Sequence, residues 1–156
     1  MAKARRPRAS DLTSHIGFWM RRVSNQVSHS FARKLESSGV TVAEWVVLRE
    51  MHRTQETTSP GAIAEITGLS RGAISKLMSR LIDKNLVHRQ EGRADRRYQE
   101  IRLTEKARNL VPKLARLADE NDDLFFSPLS QAERQQLKET LMKLVEIHQL
   151  KTMPIE

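Results

Sequence analysis

A mainly helical fold carrying one small β wing is what the sequence predicts, and three observations predict it. Apolar residues recur at three- and four-residue spacing through most of the chain, which is the period of helices with one buried side. Residues 86–89 and 97–103 instead read as two strands flanking the basic tip Gly92-Arg93-Ala94-Asp95-Arg96-Arg97. Long helical patterns at both ends carry more apolar surface than the short middle section can cover.

Taken in order, residues 1–9 (MAKARRPRA) are basic, contain a proline and have nothing to bury, so a disordered arm is expected. Such an arm can follow phosphates or enter a minor groove, or it can simply aid solubility. A long helix is predicted from Ser10, capped by Ser10 or Asp11 and striped by Leu12, Ile16, Trp19, Val23, Val27, Phe31 and Leu35, with Gly39 ending it. Thr41-Val42-Ala43-Glu44 has the form of a capping box and opens a helix to about Arg53, apolar nearly all round. Residues 54–58 read as polar loop, and Ser59-Pro60 starts a short helix whose core contacts are Ala62, Ile63 and Ile66.

Gly68-Leu69-Ser70 then supplies a tight turn and an N-cap for a helix from Ser70 to about Lys84. Ile74, Leu77, Met78 and Leu81 form its apolar stripe, and the other face holds Arg71, Ser75, Lys76, Ser79 and Arg80, with no acid before Asp83. Asn85 stands where a left-handed residue should stop the helix. In the second strand Gln99, Ile101 and Leu103 share one face. Thr104 caps a second long helix striped by Ala107, Leu110, Leu114, Leu117 and Leu124, with Pro112 expected to cause a kink or a late start. Phe125-Phe126-Ser127-Pro128 ends that helix, Ser130-Gln131-Ala132-Glu133 boxes the next, and the closing residues Met153-Pro154-Ile155-Glu156 read as a frayed tail.

The resulting division is a helical dimerisation region (10–38 and 105–150) around a winged helix-turn-helix (40–104). Leu12, Ile16, Leu137, Leu141, Leu144 and Ile147 are the candidate dimer contacts, because two chains exchanging their ends would cover the surplus apolar surface.

Charge locates the working surface. The net charge is +8, but residues 1–8 hold four basic groups and no acid, and residues 71–104 hold nine basic against four acidic groups. Residues 9–70 balance, and residues 105–156 carry one more acid than base. Positive charge confined to an arm and a reading head is an electrostatic footprint for a polyanion. A helix of this width can carry its outer side chains to base edges and phosphates in a major groove. The candidate DNA contacts are Ser70, Arg71, Gly72, Ala73, Ser75, Lys76, Ser79 and Arg80 on the helix, with Arg93, Asp95, Arg96 and Arg97 on the wing tip.

Other classes are disfavoured. Without cysteine there is no disulfide, thiolate metal site or thiol redox sensor. No apolar run approaches the roughly 20 residues of a membrane span. The basic start lacks a signal-peptide core, so a cytoplasmic location is expected. There is no Gly-rich phosphate loop and no HExxH pair, and the acids Asp119, Glu120, Asp122 and Asp123 read as a solvated face, so no enzyme is expected. The five histidines show no paired ligand spacing.

With these residues in view, the chain resembles the MarR family of winged-helix transcription regulators over nearly its whole length. The resemblance is carried by Thr41 to Leu48, by Ala64-Glu65-Ile66-Thr67-Gly68-Leu69-Ser70, and by Ile74 to Leu81. Its strongest part is the wing signature Asp95, Arg97, Leu103 and Thr104. Ala107 and Asn85 depart from it, each where the family often has Gly. The resemblance implies that Asp95 orients Arg97 into a minor groove, and that the protein is a sequence-specific regulator of double-stranded DNA, a repressor acting as a homodimer on a palindromic operator. It also implies release by a small anionic or phenolic effector, for which His15, Trp19, Arg22, Trp45 and Arg49 are the candidate residues; the alternative is that both tryptophans are core and the arginines are solvated. No cofactor is expected. The rival reading is a non-specific architectural or RNA-binding winged helix.

Overall fold

The computed structural model describes residues 9–54, 57–91 and 99–155, apart from the side chains of Thr57, Glu91 and Gln99. A 3-10 turn, Leu12–Ser14, precedes α1 (Ile16–Glu36), α2 (Val42–Arg53), β1 (Thr57–Thr58), α3 (Pro60–Thr67), α4 (Arg71–Asp83), β2 (Val87–Glu91), β3 (Gln99–Leu103), α5 (Glu105–Phe125) and α6 (Gln131–Ile147). The expected mainly helical winged architecture is present, with three differences in detail and a fourth at the carboxyl end.

The first long helix begins at Ile16, not Ser10. Asp11 heads only the 3-10 turn, with no side-chain cap bond, and His15 is extended (φ −97°, ψ 125°) between the two elements. Ser14 and Trp19 hold this turn, Oγ donating to the Asp11 carbonyl (2.6 Å) and Nε1 to that of Thr13 (2.9 Å). Local side-chain bonds of this kind compete with helix formation. Second, the stretch expected to be loop contains β1, whose Thr57 and Thr58 pair antiparallel with Arg102 and Ile101 and make the sheet three-stranded in the order β1-β3-β2. Third, α5 does not start late: it begins at Glu105 and runs without a break through Pro112, which points to solvent.

The caps are where the residues put them. Ser59, Ser70, Thr104 and Ser130 each accept a backbone N–H three residues on, and Thr41–Glu44 and Ser130–Glu133 are complete capping boxes. Two hydrogen bonds from Ser130 hold the Glu133 carboxyl below its usual range. Gly68 (φ 70°) and Asn85 (φ 55°) take the left-handed conformation that ends α3 and follows α4.

One core joins these elements. Leu35 of α1, Val47, Leu48 and Met51 of α2, Ile63 of α3, the α4 stripe, Leu86 and Val87, Ile101 and Leu103 of β3, and Ala107, Val111 and Leu114 of α5 are all buried. α6 contributes nothing to it: Leu137, Leu141, Leu144, Val145 and Ile147 are exposed. Nor is the tail frayed. The Met153 amide donates to the Ile66 carbonyl at the end of α3 (2.9 Å), bringing residues 152–153 against the turn between α3 and α4.

Candidate nucleic-acid interface

The sequence of α4 alternates two chemistries, and the fold separates them. Ile74, Leu77, Met78 and Leu81 sit within the core at 3% exposure or less, which fixes the rotation of the helix about its axis. Arg71, Gly72, Ser75, Lys76, Ser79 and Arg80 are thereby turned to solvent, and Ala73 is half-buried. Ser70 is occupied as the N-cap, accepting from Ala73 (3.3 Å), and Ser79 donates to the Ser75 carbonyl (3.0 Å). Lys76 therefore stands centrally on the exposed face, with Arg71 near its start and Arg80 near its end.

Gly72 has no internal reason to be glycine. A Cβ built there would have nothing within 4 Å, and its φ is not left-handed. Glycine inside a helix costs up to ~1 kcal/mol relative to alanine, and here it leaves the start of the exposed face without a side chain.

Arg80 has a second relationship. Its Nε lies 3.7 Å from Oε1 of Glu44, a carboxylate at 0% exposure that also accepts from Lys84 Nζ at 2.7 and 2.9 Å. The last turn of α4 is thus pinned to the start of α2.

A groove of about 300 Å³ lies between α3, α4 and β2, lined by Pro60, Gly61, Ala64, Ile74 and Met78 with Arg71, Ser75 and Arg89. Arg89 is a candidate the sequence reasoning missed. It pairs in register with buried Ile101, so strand alternation assigns it to the inner face, yet it is exposed because the core stops short of it. The groove brings it to the same wall as Arg71. Arg93, Asp95, Arg96 and Arg97, the wing-tip candidates, lie outside the described residues, as does the basic arm up to Arg8.

The five effector candidates fall on two elements, His15, Trp19 and Arg22 at the start of α1 and Trp45 and Arg49 on α2. Trp45 is half-buried and meets Phe31 edge to face, ring centroids 6.1 Å apart. Trp19 is 47% exposed and meets Phe18; it lies twelve residues before Phe31, a distance of ~18 Å along the helix. His15 shares a hydrogen bond with Ser10 (3.1 Å), and Arg22 and Arg49 are exposed. Leu12, Ile16, Leu137, Leu141, Leu144 and Ile147, the dimer candidates, are all exposed in the single protomer. The acids Asp119, Glu120, Asp122 and Asp123 are exposed too, and no group of three or more His, Cys, Asp or Glu side chains that could hold a metal ion occurs among the described residues.

Comparison with known proteins places this geometry. Residues 38–97, which span α2 to the wing, match the sequence model described as the MarR family. The fold is similar to BpsR of Bordetella bronchiseptica, whose DNA binding is regulated by 6-hydroxynicotinic acid (TM-score 0.74, 25% identity, 87% of this chain and 96% of that one). It is similar also to CouR of Rhodococcus jostii bound to p-coumaroyl-CoA (TM-score 0.73, 26% identity, 87% and 95%). The reduced form of MarR from E. coli shares the fold at 20% identity (TM-score 0.75, 84% and 96%). Residues 38–97 thus carry the MarR-family sequence pattern, and the helices around them are arranged as in these winged-helix proteins.

Proposed function

We propose that the protein is a sequence-specific repressor that binds a palindromic operator as a homodimer and is released by a small aromatic or anionic effector. The observation that carries the DNA reading is the exposed face of α4: cations, hydroxyls and a glycine, held outward by four buried apolar residues. Arg71, Ser75, Lys76 and Arg80 meet major-groove edges and phosphates, and Arg97 and Arg93 take the flanking minor groove.

Homodimerisation is supported by the apolar surface that the protomer leaves in solvent at both ends, from Leu12 (71% exposed) and Ile16 to Ile147. Pairing these ends sets two reading heads at a fixed spacing, which is how a symmetric protein reads an inverted repeat. The effector reading is supported by two similar proteins, one regulated by a hydroxynicotinic acid and the other bound to a coumaroyl thioester. An aromatic acid suits tryptophan and arginine side chains such as Trp19 and Arg22.

The test is selection of bound duplexes from a random pool, followed by a comparison of affinity for the enriched sequence and for random DNA. An enriched inverted repeat is expected, with Arg97→Ala weakening binding to it by about 1–3 kcal/mol. A protein that binds all duplexes alike would be an architectural winged helix instead.

A further inference from the structure

Among the described residues Glu44 is the only ionisable side chain that is fully buried. Burying an unpaired ion costs several kcal/mol, so its position needs a reason. Capping α2 is not enough of one. The same box at the head of α6, Ser130–Glu133, works with its glutamate exposed.

What sets Glu44 apart is the pair of cations at the end of the reading helix. Lys84 Nζ reaches both carboxylate oxygens (2.7 and 2.9 Å) and the Gly39 carbonyl (2.7 Å), joining the α1–α2 turn, the start of α2 and the end of α4. Lys84 alone neutralises the carboxylate. Arg80 comes to 3.7 Å as a second cation and approaches through Nε, which leaves its terminal nitrogens for another partner. Arg80 remains 55% exposed at its side chain, on the face that carries Lys76.

We propose that Glu44 is a positioning residue for duplex binding. It holds Arg80 from behind, so that the outer nitrogens of the guanidinium meet a phosphate already oriented. A long side chain immobilised on binding loses rotamer freedom, and one held in place beforehand has less to lose. The inference rests on the reading of α4 as the DNA face.

A double-mutant cycle tests it, using the duplex enriched from the random pool and four proteins: the parent, Glu44→Gln, Arg80→Ala and both together, at a temperature where circular dichroism shows each folded. Glu44→Gln keeps the size and an acceptor for the Thr41 amide while removing the charge. Alone it should weaken binding about 2- to 10-fold, the scale of one ordered side chain. In the Arg80→Ala background it should weaken binding much less, because the residue it positions is gone. Equal losses in the two backgrounds would make Glu44 a scaffold residue only, and no loss in the parent background would also overturn the inference. Should Glu44→Gln not fold, Glu44→Gln with Lys84→Met removes the ion pair together and carries the same comparison. A parent protein that enriches no duplex would overturn the DNA reading itself, whereas an uncoupled cycle overturns only the role of Glu44.

Discussion

The Thr104 hydroxyl donates to the Asn85 carbonyl across 2.8 Å while accepting from the Ala107 amide at 3.2 Å. One side chain therefore links the turn after α4 to the first turn of α5. Thr104→Val keeps the shape and loses both bonds, and should cost about 1–2 kcal/mol in denaturant unfolding, with Thr104→Ser retaining most of it. Asn85, at φ 55°, should accept glycine with little change, whereas Asn85→Val should cost about 1–2 kcal/mol for the left-handed backbone. If valine at 85 were as stable as asparagine, the turn would have to adopt another conformation.

Gly72→Ala should move stability and binding in opposite directions. With open space around the new methyl group, the helix should gain up to about 1 kcal/mol, read as a higher melting temperature. Operator affinity should fall, because the methyl group occupies the surface on which a duplex must come close. A variant that is more stable and binds equally well would remove Gly72 from the interface.

Leu141→Lys with Leu144→Lys on α6 should halve the mass seen by sedimentation equilibrium, since both side chains belong to the solvent-facing apolar stripe. Operator affinity should drop by at least tenfold as two linked contacts become one. Secondary structure should persist, because no α6 side chain enters the core. Unchanged mass would move the dimer contact elsewhere.

Asp122 gives a pH signature. Although its surface is exposed, enough protein packs around its carboxylate for desolvation to raise the pKa, with Asp119 and Asp123 adding repulsion. A raised carboxyl pKa means that the folded state binds the proton more tightly than the unfolded one, so stability falls as pH rises from the ordinary value of 3.8 through the raised one. Asp122→Asn should therefore be the more stable protein at neutral pH, by less than about 1 kcal/mol after solvent screening. The gap should close as the pH drops below the carboxyl range in parallel thermal melts. A constant gap across that range would assign it to packing.

Much of the architecture is legible because it is set locally. Ile74, Leu77, Met78 and Leu81 orient α4 by spacing alone, and Ser70, Thr104 and the two capping boxes mark helix starts through bonds spanning three residues. The misread elements depend on partners distant in sequence or on competing local bonds. At Ser10-Asp11 the cap chemistry is present, but Ser14 and Trp19 spend their hydrogen bonds on a 3-10 turn that delays α1. The two threonines of β1 are too few to show a period and become a strand only against β3. Arg89 is invisible as an interface residue because alternation gives the face of a strand and not where the core beneath it ends.

The bond from the Met153 amide to the Ile66 carbonyl has a practical side. Chain ends are the usual place to attach a fluorophore or purification handle, on the expectation that they wave free. Here a handle joined to the carboxyl end would emerge beside the bend that presents α4, with Thr152 already pressed toward Gly68. Surface immobilisation through that end would set the support beside the turn between α3 and α4, so binding measured that way would report the attachment as well as the protein.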